Sequence, residues 1–261
     1  MDGPTLRWLG HAGFRLAFPD PQDPAKNRVI YFDPWLQGPT TPQEFKDAVP
    51  DDADLILVSH GHFDHAGSAP DIVKSSKKEG CKVVSNYEIF TFYKNFHHLT
   101  DENGAGMNKG GQIDFGFCTV QMVSADHSSG CMAPDQNLHV GGEPAGFVVT
   151  AHNFAIYHAG DTNVFTDMDI INYLYKPTHL LLPIGGHFTM GPREAAYAVC
   201  KFLTHAHIVI PMHFLTFPLL KGTPEDFQRE ADKFKAEIKR EKDFRVVDPH
   251  TMLQAAVPLP N

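Results

Sequence analysis

Between Ser59 and His65 the chain reads Ser-His-Gly-His-Phe-Asp-His, which sets four metal-ligating side chains, His60, His62, Asp64 and His65, within six positions. Histidine is the commonest metal ligand in proteins, and imidazole combines readily with carboxylate around divalent ions. In extended backbone, residues two apart face the same side, so His60 and His62 can bind one ion. As the chain turns toward the helix expected from Ser68, Asp64 and His65 can swing toward a second. Gly61 lets the backbone pass close to both. The competing reading is a polar strand-to-helix loop whose histidines only pack, yet packing rarely asks for four such side chains in so short a stretch. Sixteen histidines in 261 residues point the same way.

Two ions need more ligands, and His127, Asp161 and His213 each stand just past an expected strand. A lone histidine after a strand is more often a satisfied buried residue. Here the position relative to the first cluster favours ligation, because sites in α/β folds form at the carboxyl ends of strands. The positioning elements are legible as apolar runs. Strands are expected over 6–9, 14–18, 29–32, 55–58, 81–84, 117–123, 146–150, 154–157, 180–184, 208–210 and 244–247. Helices are expected from a capping box at Ser68 to a stop at Gly80, over 87–96 and 165–175, from Pro192, and from a cap at Thr223. Segments 97–111 and 130–143, rich in Gly, Asn and Asp, read as long loops. No linker divides the chain, so residues 1–261 are expected to form one α/β domain of two similar halves.

Composition narrows the partners. Twenty-two basic against thirty-one acidic residues leave a net charge of −9. A nucleic-acid or anionic-membrane surface needs the opposite balance. No apolar run reaches the ~18 residues of a membrane span, so no membrane insertion is expected. Cys81, Cys118, Cys131 and Cys200 form no Cys-x-x-Cys pair and read as buried thiols of a reducing compartment. The start, Met1-Asp2-Gly3-Pro4, lacks the basic and apolar regions of a secretory signal. A cytoplasmic protein acting on a small, anionic molecule is expected, with a homo-oligomer left open.

The series His60-x-His62-x-Asp64-His65, His127, Asp161, His213 resembles the metal-binding signature of the metallo-β-lactamase superfamily, and Asp33 matches its first, structural aspartate. Within it, Trp8-Leu9-Gly10-His11-Ala12, the stretch from Tyr157 to Thr162 and that from Pro183 to Pro192 are similar to a group of metal-dependent hydrolases. That group is related to ascorbate-6-phosphate lactonase and N-acyl-phosphatidylethanolamine phospholipase D. The resemblance implies a four-layer αββα sandwich with a binuclear site at one edge of its two sheets. It implies that His60, His62 and His127 hold one ion, Asp64, His65 and His213 the other, and that Asp161 bridges them. His62 stands where the flavodiiron branch has glutamate, which disfavours electron transfer. Zinc is the first choice of metal, with manganese and iron as alternatives.

Two such ions lower the pKa of a bridging water and polarise a carbonyl or phosphoryl oxygen. The resulting hydroxide would attack an ester, lactone or phosphodiester without a protein nucleophile, and no Gly-x-Ser-x-Gly elbow is present. Asp33 is expected to orient a ligand. Asp64 and His187 are the candidate catalytic residues. His187 leaves the strand 180–184 in a Gly-Gly loop at the ligand edge, either to bind substrate or protonate the leaving group, or simply to hydrogen-bond backbone. His11 carries a weaker version of the same claim. Arg193 is expected to face solvent or cap its helix, Cys131 to be a plain buried thiol, and His97, His98, His205 and His207 to be surface or packing residues. The alternatives to a small-molecule hydrolase are an RNA-processing phosphodiesterase of the tRNA 3′-processing type and a non-catalytic metal-binding protein. The acidic balance opposes the first, and the complete ligand set opposes the second.

Overall fold

The computed structural model describes residues 3–152, 154–238 and 243–259. Two seven-stranded sheets carry the architecture. The first is built from β1 (Thr5–Gly10), β2 (Gly13–Pro19), β3 (Asn27–Phe32), β4 (Leu55–Leu57), β5 (Lys82–Asn86) and β6 (Gly104–Met107). The second uses β7 (Gln112–Asp114) and β8 (Thr119–Ser124) and then, past a separate hairpin of β9 (Gly130–Met132) and β10 (Leu138–Val140), β11 (Ala145–Ala151), β12 (Phe154–His158), β13 (His179–Pro183), β14 (Ile208–Met212) and β15 (Arg245–Val246). A final strand, β16 (Val257–Pro258), returns to pair with β1. Each sheet is antiparallel along one side and parallel along the other, the change falling at β3 in the first and β12 in the second.

Period-two alternation decides which side chain meets which layer. From the first sheet Ile30, Phe32, Leu55, Leu57 and Val84 join the core shared with the second sheet. Their neighbours Val29, Tyr31, Ile56, Val58 and Val83 turn the other way, onto α3 (Ala69–Ser75) and α4 (Tyr87–His97). The helices α5 (Met168–Tyr175), α6 (Pro192–Lys201) and α7 (Pro224–Ile238) cover the second sheet through Met168, Ala195, Val199, Phe227 and Ala231. Helices therefore flank two mixed sheets, in the expected αββα order. Two short helices, α1 (Gln43–Asp47) and α2 (Phe63–Ala66), lie in the loops after β3 and β4. No helix among the described residues is long and apolar enough to cross a membrane.

Local departures from expectation have physical causes. Ser68 does not cap α3: its hydroxyl accepts from the Leu36 amide and donates to Gln37, tying the loop after β3 to the helix start. The helix stops at Ser75, well before Gly80. Segment 97–111 is no plain loop, since Gly104–Met107 pairs in parallel with β5. Its glycine is obligatory, because a Cβ on Gly104 would lie 1.9 Å from the Phe90 ring of α4. Segment 130–143 likewise folds into the β9–β10 hairpin, which among the described residues forms no strand ladder with either sheet. The cap at Thr223 forms as expected, its hydroxyl accepting from the Asp226 amide at 3.1 Å.

Candidate metal centre

Every loop that carries an expected ligand leaves the carboxyl end of a strand, and both sheets contribute. Asp33 follows β3, His60 to His65 follow β4, His127 follows β8, Asp161 follows β12 and His213 follows β14. Turning sharply inward demands unusual backbone. His11, Asp33 and His213 adopt left-handed φ values of 53°, 39° and 56°, each at a cost of about 1–3 kcal/mol. Gly160, at φ 62°, has no room for a side chain: a Cβ there would lie 2.7 Å from the Ala145 carbonyl and 2.9 Å from Ser59 Oγ. It delivers Asp161 to the centre.

Asp161 is the hub. Its Oδ2 lies 3.0 Å from His213 Nε2, 3.3 Å from His65 Nε2, 3.6 Å from His127 Nε2 and 3.8 Å from His60 Nε2. Around it ligand atoms cluster in two groups, which a third, of Asp33, His60 and His65, links. His60, His62 and His127 form one, and His11, Asp64, His65 and His213 the other, with atoms in each group within 4.8 Å of one another. The seven side chains singled out from the sequence thus converge, and His11 joins them.

The remaining polar atoms orient these groups. Asp33 Oδ1 accepts from the Ser59 amide at 2.7 Å, and Oδ2 accepts from Ser59 Oγ at 2.6 Å and His65 Nδ1 at 2.8 Å. With the Ser59 proton committed to Asp33, His60 Nδ1 donates to Ser59 Oγ at 2.9 Å. Both rings consequently carry hydrogen on Nδ1, the arrangement that directs Nε2 to the centre. His11 donates from Nε2 to Asp64 Oδ2 at 3.0 Å and accepts from the Thr216 hydroxyl. His158 donates from Nε2 to the Ala12 carbonyl and receives the Gly160 amide. His11, Thr216, Ser59 and His158 are contributions that sequence spacing underrates or misses. His11 follows β1 at the same edge as the ligands, which is the one signal available for it.

Electrostatics agree with a cation at this point. Asp161 Oδ1, His65 Nε2 and both ring nitrogens of His213 are buried without a hydrogen-bond partner. Orphaned buried polar atoms carry a desolvation cost that a metal ion would remove. Burial would raise Asp161 and Asp33, yet the neighbouring imidazoles hold Asp161 well below the carboxylate range and Asp33 at about 2. Burial would lower His65, but Asp161 and Asp33 on either side raise it well above its ordinary value. The two carboxylates call for positive charge between them. His60, His62 and His127 are lowered, first by burial and then by His65 in the case of His60 and His62. That keeps them neutral, as ligation requires. His11 is lowered to about 4 by burial and by His213, which fits its role as a neutral donor to Asp64. The donor set fits divalent metal.

A cavity of about 520 Å³ opens over the cluster, with His62, Asp64, His127, Asp161 and His213 in its floor. His187 is not part of it. Its exposed side chain lines an adjoining depression together with Arg193 and Lys221, while the next residue, Phe188, faces the cavity. Cys131 is buried against Gly61, its thiol pushed up to about 11 by burial.

Residues 28–214 match the family described as beta-lactamase superfamily domain. A UPF0173 metal-dependent hydrolase of Rubrobacter xylanophilus is 42% identical over 240 residues, covering 91% of this chain and 93% of its own. The chain belongs to the metallo-β-lactamase superfamily, in this family of metal-dependent hydrolases. The superfamily fold extends to solved structures. Igni18, a metallo hydrolase from Ignicoccus hospitalis, superposes with a TM-score of 0.72 at 29% identity, covering 94% of this chain and 95% of its own. A metallo-beta-lactamase fold protein of Bacillus subtilis reaches 0.65 at 12% identity, over 95% of this chain and 97% of its own, and shares the fold.

Proposed function

We propose that this superfamily member is a binuclear hydrolase of a small ester, lactone or phosphodiester, and that residues 1–261 form a single catalytic domain. The observation that carries the reading is the convergence of four Nε2 atoms, from both ligand groups, on one oxygen of Asp161. His60, His62 and His127 would hold one divalent ion, Asp64, His65 and His213 the other, and Asp161 both. The ions, zinc by preference with manganese or iron as alternatives, supply Lewis acidity and an activated water.

The chain's own groups do the rest. Asp33 and Ser59 fix the tautomers of His65 and His60. Asp64, held by His11 at Oδ2, would also orient the attacking water and accept its proton. The bond from oxygen to the acyl carbon or phosphorus forms, the bond to the leaving oxygen breaks, and the proton passes from Asp64 to that oxygen. No Lys or Arg lines the cavity among the described residues, which supports a small substrate over a nucleic acid. Negative charge on the substrate is then confined to the reacting group. Buried Cys81, Cys118 and Cys131, outside any disulfide, support a reducing, cytoplasmic setting.

Metal analysis after reconstitution tests the reading. Two ions per chain are expected, with chelator-sensitive cleavage of a simple lactone or phosphodiester and no trimming of precursor tRNA. Fewer than one ion per chain would sink it.

For His187 we propose a contact with the part of the substrate that leaves the cavity. Because His187 has a φ of 56°, asparagine is the fitting replacement, since it tolerates the left-handed region. His187→Asn is expected to raise KM a few-fold while metal content and Tm stay unchanged. A drop in kcat of about 10²-fold or more would assign it proton donation instead.

A further inference from the structure

The walls of the cavity differ in kind from its floor. Phe63, Met132, Leu138, Phe188, Phe217 and Leu219 line it. They come from the short helix after β4, the β9–β10 hairpin, the loop after β13 and the loop after β14. All but Phe217 are 50% to 69% exposed. Scattered exposed apolar residues need no explanation, but a contiguous ring around a reactive cluster marks a binding surface. The ring is stiffened from behind: Trp35 stacks on Phe217 at 5.5 Å and meets Phe63 edge-on at 5.6 Å. The cavity's volume, about 520 Å³, falls within the range of small-molecule pockets.

We propose that this ring receives an uncharged aliphatic or aryl acyl group, so that the substrate is an apolar ester or lactone whose carbonyl rests on the His/Asp floor. The inference rests on the hydrolase reading and adds the substrate's chemical class to it. Arg193 and Lys221 line the adjoining depression, beyond Leu219, which borders both. Beside the His/Asp floor the one neutral polar side chain in the described lining is Ser128, and no Lys or Arg lines it, so an ionic acyl group would lose its water without gaining a counter-charge. In the reaction, water adds to the acyl carbon, the bond to the leaving oxygen breaks, and the water's proton goes to that oxygen by way of Asp64. No other reactant is required.

The test is a chain-length series, p-nitrophenyl acetate, butyrate, hexanoate and octanoate, with the metal-loaded protein. kcat/KM is expected to rise about 4-fold per added methylene until the cavity is full, the factor that follows from burying one CH₂. Leu138→Ser and Leu219→Ser, made singly at exposed positions on two different walls, are expected to lower the hexanoate-to-acetate ratio about 5-fold each. Binding of 1-octanol against 1-butanol, read from Trp35 fluorescence with Trp35→Phe as control, gives a measure independent of turnover. It is expected to persist after chelation, because the ring needs no metal. A flat ester series with no preference for octanol overturns the proposal. Octanol binding that Leu138→Ser weakens, with no ester or lactone cleaved, would instead sink the hydrolase reading and leave an apolar-ligand site. Self-association abolished by the same serine variants, or binding to phosphatidylcholine vesicles, alongside a flat series, would overturn it in favour of a second copy or a lipid surface.

Discussion

Asp161→Ala is expected to strip both metal ions from the protein and to reduce hydrolysis by about 10³-fold or more. The reason is positional. Four Nε2 atoms from two ligand groups lie within 3.8 Å of the one oxygen Oδ2, so no other side chain can compensate for either ion. Lewis-acid stabilisation is worth several kcal/mol, and each ~1.4 kcal/mol is a factor of ten in rate. Asp161→Asn keeps the volume and removes the charge, so it separates packing from ligation. Metal content measured on both variants is the deciding readout. If alanine releases one ion and leaves the other at full occupancy, Asp161 belongs to one metal only and the bridging assignment is wrong.

The second large effect is thermal. Withdrawing metal with a chelator is expected to lower Tm by roughly 10 °C. An ion present at about a thousand times its Kd stabilises the fold by ~4 kcal/mol, and each kcal/mol is ~2–4 °C for a chain of this size. Acid should act in the same direction. His60, His62 and His127 are held below the ordinary histidine value of 6.5. Between that value and their own, the unfolded chain takes up protons that the fold refuses, so the contribution of these three to stability falls as pH falls. Protonation also competes with ligation. The gap in Tm between loaded and chelated protein should therefore narrow below about pH 6.5. A gap that is constant from pH 8 to pH 5 would show that these imidazoles do not hold the ion.

Much of this site can be read from the chain because its chemistry is concentrated. The His-x-His-x-Asp-His stretch follows a wholly apolar strand, and the later ligands each follow another largely apolar one, so strand position and ligand type point to the same edge. The stacking of two sheets is a different matter. It came from resemblance to the superfamily, since alternation along a strand does not say which layer it meets. Spacing also failed where a residue's role depends on what crosses it in space. Gly104 looks like a loop residue until Phe90 is seen to occupy the place of its side chain. Ser68 looks like a cap, yet its hydroxyl serves Leu36 and Gln37. His187 was placed at the correct edge, but its side chain lines the neighbouring depression and Phe188 faces the cavity. The apolar ring was illegible for a related reason: its members stand on four segments far apart in sequence, each unremarkable alone.

Among the described residues the β9–β10 hairpin pairs only with itself, and this separates two kinds of evolutionary pressure within one chain. Substitutions in either large sheet disturb pairing that also positions the ligands, so drift there is penalised twice. Changes of length or residue in the hairpin leave both ladders intact while reshaping one wall of the cavity. Selectivity can therefore diverge among relatives faster than the reaction itself, and a hairpin transplanted from one to another should carry its preference with it.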